Sequence, residues 1–298
     1  MHSRFHPAAK RAAYSLIELS IVLTALAILA GSITIGKSMV HSAQLRSITT
    51  EFQRYSSSAR AFKEKYNYLP GDMPNANLYW GQSSTVTCPG TSTVASVGTG
   101  TCNGNGDGKV WWCSDIGSGI YTCPETFGFW QQLALSHMFI FLNNPGSPNN
   151  FGATSNYTGF GISSPTDREP GLNVPASQYA SLTWGVANMN LLGTTSNYYY
   201  ALDYGNFLFF GVPGTALYGS NLLSGEDAAL IDSKMDDGKP GSGMVIGGGL
   251  PSDGSCAWCG NAAKTNVCTT SASSTDYGGT YRIGNTDQVC FLMFVKAF

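Results

Sequence analysis

The chain has 298 residues, a formal net charge of −2 and only 11% charged residues, well under the roughly 25% of an average soluble domain. Its polar surface must therefore come from Ser, Thr, Asn, Gly and Tyr, and so neutral a balance gives no electrostatic basis for binding nucleic acid. The length is enough for one sizeable domain in addition to an amino-terminal stalk.

The amino-terminal segment combines a basic leader with a long apolar run. The leader ends in two small residues, Ala12 and Ala13, and the apolar run that follows extends to about Ile35. One carboxylate, Glu18, lies in the first turn of this run. A charged side chain inside a membrane span costs on the order of 3 kcal/mol on insertion scales, so such a residue usually has a function and a partner.

The stretch Ala13-Tyr14-Ser15-Leu16-Ile17-Glu18-Leu19 resembles the cleavage and methylation site of type IV pilins and type II secretion pseudopilins. The resemblance covers roughly residues 10 to 75. It implies that a prepilin peptidase cuts between Ala13 and Tyr14 and methylates the new amine. It also implies that Glu18 is the assembly carboxylate, which pairs with the amine of an adjacent subunit. The family usually has Gly before the cut, and Ala13 at this position predicts slower processing.

Two other interpretations of the same segment remain open. An ordinary secretory signal also has a basic start and an apolar core, and Ala25-Leu26-Ala27 would serve as its cleavage site. A plain membrane anchor is the second, since about 20 apolar residues span a bilayer. Neither explains Glu18 or the small residues before the apolar run.

A single helix is predicted from residue 14 to residue 66, about 80 Å long at 1.5 Å per residue. Its second half is amphipathic, because apolar residues recur at spacings of three and four. This stripe, predicted to pack on the globular domain, comprises Leu45, Ile48, Phe52, Tyr55, Ala59, Phe62 and Tyr66. The predicted divisions are a leader (1–13), a transmembrane and assembly half of the helix (14–41), an amphipathic half (42–69) and a head domain (70–298).

The head is predicted to begin at Leu69-Pro70-Gly71-Asp72, because Pro70 and Gly71 end the helix. A helix starting near Pro124 is expected next, with Thr122 and Glu125 as a capping box. Aromatic and β-branched segments then predict strands at 182–192, 198–202, 207–212, 244–246 and 289–295, with a turn at 203–206. Ser224 and Asp227 predict the cap of a helix that ends at Met235.

The cysteines indicate an oxidising compartment. All eight lie beyond the apolar segment, and an even number there predicts four disulfides. They form two clusters, and we expect each bond to stay within its cluster; the residues are Cys88, Cys102, Cys113, Cys123, Cys256, Cys259, Cys268 and Cys290.

Two segments are weak candidates for calcium. Asn103, Asn105 and Asp107 alternate with glycines like the front half of a calcium loop, but the bidentate Glu that such a loop needs is missing. A glycine-rich turn is the favoured interpretation. Asp236 and Asp237 follow the predicted helix end, and an Asp-Asp-Gly segment recurs near a calcium-binding loop in pseudopilin-like relatives. Such residues more often cap turns.

Catalytic motifs are absent from the sequence. There is no Gly-x-Ser-x-Gly elbow, phosphate-binding loop or His-Glu-x-x-His, and the single histidine beyond the stalk, His137, is expected to be structural. The chain is therefore predicted not to be an enzyme. Aromatic residues among Ser, Asn and Gly suit an adaptable recognition surface, including one for glycans, although packing is the other explanation; they include Tyr179, Trp184, Tyr199, Tyr200 and Tyr204.

The expected fold class is therefore α+β and pilin-like: a long amino-terminal helix packed on an antiparallel sheet with disulfide-stapled loops. The resemblance implies a structural subunit, most simply a minor one, of a type IV pilus or type II secretion pseudopilus. Its partners would be other pilin or pseudopilin subunits, the prepilin peptidase, an inner-membrane assembly platform and membrane lipid. It would lie in the inner membrane before assembly and in a periplasmic or surface filament afterwards. The alternatives are a glycan-binding adhesin head on such a filament and a secreted or anchored hydrolase.

Overall fold

The structure is a computed structural model. It describes residues 15–81, 100–111, 114–115, 121–122, 124–138, 174–179, 182–194, 199–212, 223–248, 268–271, 273–284 and 290–298. The chain divides into two compact units, Met1–Gln44 and Leu45–Phe298, which are described separately below.

Helix α1 comprises Leu16–Tyr66, which confirms the single long helix that the sequence predicted. No proline interrupts this stretch, and Lys63 and Lys65 in the last turn complement the negative end of the helix dipole. Asn67, directly after the last residue of the helix, adopts a left-handed backbone conformation with φ 61°. Leu69-Pro70 follows, where the proline disfavours further helix.

One stripe of α1 forms part of the core of the second unit. Six of its residues are buried, and these are Leu45, Ile48, Phe52, Tyr55, Ala59 and Phe62. Tyr66 is partly buried and packs at the edge of this core. The Phe52 ring stacks on Phe294 at 4.6 Å between centroids, and Tyr55 meets Trp184 edge to face at 5.4 Å. The stripe that the 3.6-residue period predicted is therefore confirmed, and it packs on a sheet.

In the part of the chain that the structure describes, that sheet has four strands, and every pairing within it is antiparallel. Its order is β3-β4-β6-β5; the strands are β3 Thr183–Asn190, β4 Asp203–Val212, β5 Val245–Gly248 and β6 Phe291–Phe294. Two short strands, β1 Ser114–Asp115 and β2 Tyr121–Thr122, form a separate antiparallel pair. The described residues thus have the α+β class that was expected, with a long amino-terminal helix and an antiparallel sheet.

Both faces of the four-stranded sheet are covered. Leu292 and Phe294 of β6 face the core that includes α1, whereas Met293 and Val295 belong to a second apolar cluster. The second cluster also contains Tyr200, Tyr204 and Phe209. This explains why alternating residues of β6 are apolar on both sides of the strand.

The sequence was wrong about residues 199–206. It predicted a strand at 198–202, but the described residues 199–202 are not strand. It predicted a turn at Asp203–Asn206 between two strands, but these residues form the start of β4. Gly205 takes φ 58°, and the pairing register with β3 shifts next to it, between Met189 and Asn190. A β-bulge therefore absorbs the residues that resemble a turn, while Tyr204 between them is fully buried.

The described residues include three further helices: α2 Asn77–Trp80, α3 Pro124–Leu135 and α4 Gly225–Met235. The Ser224 hydroxyl accepts the backbone N–H of Asp227 at 3.1 Å, which confirms the predicted cap of α4. Capping satisfies one of the amide groups that a helix start leaves without a partner.

The described cysteines are all disulfide-bonded: Cys102, Cys268 and Cys290. Cys268 bonds Cys290, within the second sequence cluster as expected, and both residues are buried in the core. The other five cysteines, Cys88, Cys113, Cys123, Cys256 and Cys259, lie outside the described residues.

The stripe of α1 can be tested by truncating one of its residues. Ile48→Ala removes a fully buried side chain and should lower the free energy of unfolding by about 2–5 kcal/mol, the range for large-to-small core changes. Thr50→Ala, on the exposed side of the same helix, should change it by less than about 0.5 kcal/mol. Denaturant titration of both variants measures the difference; equal losses would contradict the burial of this stripe.

Candidate functional site

The first turn of α1 places Glu18 at the amino-terminal end of the helix. The Glu18 carboxylate accepts the backbone N–H of Ser15 at 2.9 Å, and the Ser15 hydroxyl accepts the N–H of Ile17 at 3.3 Å. A carboxylate is favoured here by the positive end of the helix dipole. Ala13 and Tyr14 lie outside the described residues, so the cleavage site and the pairing of Glu18 with a neighbour's amine stay predictions.

The apolar half of α1 is exposed along its length. Thirteen large apolar side chains in this half are between 53% and 88% exposed: Leu16, Ile17, Leu19, Ile21, Val22, Leu23, Leu26, Ile28, Leu29, Ile33, Ile35, Met39 and Val40. A contiguous apolar surface of this extent marks an interaction with lipid or with protein. By length and composition, α1 is a helix able to cross a membrane.

Three hydroxyl groups within this apolar half are satisfied by the helix itself. Ser20, Thr24 and Ser32 donate to backbone carbonyls three or four residues earlier, at 2.8–3.0 Å. Such bonds lower the cost of placing a hydroxyl in a medium without water. Sequence reasoning missed this feature, although the spacing of Ser and Thr within an apolar run is a visible signal for it.

Asp72, in the turn that follows α1, holds the candidate calcium loop at residues 103–108. One carboxylate oxygen of Asp72 accepts the N–H groups of Gly106 at 2.7 Å and Asp107 at 3.1 Å, and the other accepts that of Gly108 at 2.9 Å. We call these three bonds the Asp72 clasp. A carboxylate that accepts several backbone N–H groups forms charge-assisted hydrogen bonds, which are stronger than neutral ones.

Gly71 lets the turn that contains Asp72 pack closely against α3. Gly71 has φ 82°, and a Cβ atom there would lie 2.2 Å from the backbone oxygen of Glu125. Its N–H donates to the side chain of Gln132 at 2.7 Å. Only a residue without a Cβ atom fits this approach, so Gly71 is required for the position of Asp72.

Glu125 of α3 holds the other end of the loop. Its two carboxylate oxygens accept the N–H groups of Asn105 at 3.3 Å and Trp111 at 2.8 Å. The sequence predicted Glu125 as a capping-box residue, whereas α3 begins at Pro124 and the carboxylate is directed at a different segment. The two partners of this carboxylate lie 20 and 14 residues earlier in the chain, so local sequence patterns do not indicate them.

The oxygen atoms proposed as calcium ligands in this loop have partners within the protein. Asn103 accepts the N–H of Asn77 at 2.9 Å, and Asn105 accepts that of Asp107 at 2.9 Å. Asp107 accepts the backbone N–H of Lys109 at 2.8 Å and the indole N–H of Trp111 at 2.7 Å. These contacts are those of a glycine-rich turn, the interpretation that the sequence favoured. Calcium at this loop remains a prediction.

Burial shapes the electrostatics of the loop. It raises the pKa of Glu125 to about 7, and the bond from Trp111 opposes the shift while the nearby Asp72 adds to it. Burial also raises the pKa of Asp72, against its backbone bonds from Gly108 and Gly106. Both carboxyl groups are almost completely buried, so desolvation of the charged form is the dominant cause.

The second calcium candidate lies where α4 ends, and the structure adds Asp232 to it. Ligand atoms of Asp232, Asp236 and Asp237 lie within 4.8 Å of one another. Carboxylate oxygens are the ligands that calcium prefers. Among the described residues, this is the place where three such groups converge, so it fits a cation better than the loop at 103–107.

Each of these three carboxylates also holds the backbone. Asp236 accepts the backbone N–H groups of Met244 and, at 3.1 Å, of Val245. Asp237 accepts the backbone N–H of Lys239 and the hydroxyl group of Ser242. Asp232 is fully buried and accepts the Gly238 N–H at 3.1 Å and the Tyr281 hydroxyl at 2.7 Å. Burial raises its pKa to about 7. Turn capping, the commoner role of such residues, is therefore present.

Most of the aromatic residues considered for recognition are core residues. Tyr179, Trp184, Tyr200 and Tyr204 are all at most 4% exposed, and packing is the explanation that holds for them. His137 was expected to be structural, but it is exposed, with φ 59°, just after α3. His137 therefore lies beyond the end of α3 and not on the apolar face of that helix.

Comparisons with protein-family models, with curated proteins and with solved structures find no match to the chain.

The raised pKa values predict a pH-dependent stability. Glu125 and Asp232 have folded pKa values of about 7, above the roughly 4 of free carboxyl groups. The folded state thus binds more protons between these values, so stability is full below about pH 4 and falls as the pH rises through about 7. We expect a loss of up to roughly 3 kcal/mol for each group.

Denaturant titrations of the detergent-solubilised chain across this pH range measure the loss. Glu125→Gln and Asp232→Asn should each flatten the profile, whereas Glu64→Gln, at an exposed position of α1, should leave its slope unchanged. A wild-type profile that is flat or rises with pH would contradict the burial of these charges.

Calcium titration distinguishes the two candidate segments. If the carboxylates after α4 bind calcium, the ion at about 100 times its dissociation constant should stabilise the fold by about 2.7 kcal/mol. Asp237→Asn should abolish that gain and Asp107→Asn should retain it. The reverse pattern would place calcium at the loop, and no gain in the wild type would contradict both predictions.

Proposed function

We propose that this protein is a pilin-like structural subunit that assembles into a filament of the type IV pilus or type II secretion pseudopilus class through α1. The observation that carries the proposal is the exposed apolar half of α1 with one carboxylate, Glu18, in its first turn. An anchor needs the apolar surface but has no use for the carboxylate. A neighbouring subunit's amine, made by cleavage before Tyr14, gives Glu18 a partner.

The exposed side chains define what assembly must achieve. Burying one Leu, Ile or Val from water is worth about 1.5–3 kcal/mol, so a subunit that leaves the membrane must cover the whole apolar half of α1 at once. A bundle of identical helices provides that cover. The hydrophobic free energy of the apolar half is nearly the same in lipid and in a helix bundle, so packing and polar contacts decide between the two. Glu18 is therefore the residue expected to set the register of neighbouring helices.

The second unit supports an extracytoplasmic location for the head. Cys268 and Cys290 form a disulfide in its core, and such bonds persist in oxidising compartments. The proposed location is the inner membrane before assembly and the periplasm or cell surface afterwards. The large head, with more than two hundred residues beyond α1, favours a minor subunit.

The Glu18 role is tested by comparing filament and membrane fractions of Glu18→Ala and the wild type. The variant should retain a methylated Tyr14 terminus by mass spectrometry, yet its amount in sheared filaments should fall about tenfold or more, the factor expected from losing a bond between charged groups. The folded head is checked through the Cys268–Cys290 disulfide.

Glu226→Ala, at an exposed carboxylate on α4, is the matched control and should assemble normally. Normal filament levels in Glu18→Ala would remove Glu18 from the mechanism. An intact Met1 terminus, or a terminus at Ile28, would replace the filament proposal with an anchor or a secreted protein.

A further inference from the structure

The loop held by the Asp72 clasp contains two dipeptides with a known chemical weakness. Asn105-Gly106 and Asp107-Gly108 follow one another directly. In such pairs the backbone nitrogen of the glycine can attack the side-chain carbonyl carbon of the preceding residue. A flexible, exposed Asn-Gly or Asp-Gly pair is the most reactive form, because glycine has no Cβ atom to hinder the approach.

The reaction is balanced as follows. The glycine nitrogen loses its proton and forms a bond to Cγ of Asn105, whose side-chain nitrogen leaves as ammonia and takes up that proton, giving a five-membered succinimide. Water then opens the ring to aspartate or to isoaspartate, in which the main chain runs through the side chain. At Asp107 the leaving group is water, and the product is isoaspartate without a change of mass.

Burial does not protect these residues, since all four residues from Asn105 to Gly108 are exposed. The glycines are also difficult to replace. Gly106 and Gly108 have φ of 75° and 81°, and a Cβ atom at Gly106 would lie 3.2 Å from the ring of Pro74. The backbone conformation of the loop therefore keeps both reactive pairs in the sequence.

We propose that the Asp72 clasp is a chemical guard that suppresses succinimide formation at Asn105 and Asp107. Both attacking nitrogen atoms are engaged by it: the Gly106 N–H donates to Asp72 Oδ1 at 2.7 Å and the Gly108 N–H to Asp72 Oδ2 at 2.9 Å. The Gly106 N–H also lies 2.9 Å from the Asp72 backbone carbonyl.

Charge strengthens the guard. Each attack requires the glycine nitrogen to lose its proton, and a carboxylate that accepts that N–H stabilises the protonated form and repels the amide anion. The side chains are held as well, because Asn105 accepts the Asp107 N–H at 2.9 Å and Asp107 accepts the Lys109 N–H at 2.8 Å. Both Cγ atoms are thus fixed while their nucleophiles are occupied.

The same loop contains an internal reference pair, Asn103-Gly104. Its glycine N–H donates at 2.9 Å to the Met73 backbone carbonyl, which is neutral. Loss of the Asp72 charge should therefore leave Asn103 unaffected while it exposes Asn105 and Asp107.

The test is an ageing experiment on the full chain in detergent at mildly alkaline pH. Wild type, Asp72→Asn and Asp203→Asn are incubated, and the peptide that contains residues 103–108 is followed by mass spectrometry and by isoaspartyl methyltransferase labelling. In Asp72→Asn, conversion at Asn105 and Asp107 should accelerate about tenfold or more, the factor for losing a hydrogen bond to a charged group, with Asn103 unchanged. Asp203→Asn, which removes an exposed carboxylate that accepts the backbone N–H of Gly205 in another segment, should match the wild type.

A second comparison does not depend on a variant that folds. Wild type in urea should convert at Asn105 about tenfold or more faster than the native chain, because unfolding removes the charged acceptor. Equal native and unfolded rates at Asn105 would overturn the proposal. So would acceleration of all three sites together in Asp72→Asn, since that would be general unfolding.

Discussion

Burial of one face of α1 is the contact on which the rest of the second unit depends. Phe52 stacks on Phe294 and Tyr55 meets Trp184 edge to face, so the helix supplies one wall of the core and the sheet the other. β6 lies in the middle of the sheet between β4 and β5, and its remaining face is covered by a second apolar cluster. Because cores are close-packed, the positions of the connecting turns follow from this contact.

Buried carboxylates are the second structural theme. The chain carries few charges, yet Asp72, Glu125 and Asp232 are at most 5% exposed. Each accepts backbone N–H groups from a segment outside the helices and strands, which gives those amides a partner within the protein. Desolvation is the cost of this arrangement and appears as raised pKa values. All three organise segments that the sequence had offered as calcium sites.

The two halves of α1 divide the proposed function between them. The second half fixes the head through one buried stripe, whereas the first half leaves its apolar surface exposed and satisfies the hydroxyl groups of Ser20, Thr24 and Ser32 internally. A helix with this division suits a subunit that is stored in a membrane and then packed among copies of itself. Under the proposed function, the disulfide and the loop at 103–108 belong to a head that lies outside the cytoplasm.

The sequence by itself determined the features that depend on local period and local caps. These are the single helix with its stripe from Leu45 to Phe62, the Ser224 cap of α4, and the approximate positions of β3, β5 and β6. The tertiary structure decided the features that join distant segments. Asp72 accepts from residues 34 to 36 positions later, Asp232 joins Asp236 and Asp237 beside Tyr281, and pairing with β3 turns the expected loop at 203–206 into strand. Periodicity indicates which face of an element is buried. The sequence around a carboxylate, however, has no local pattern that identifies the distant segment whose backbone N–H groups it accepts.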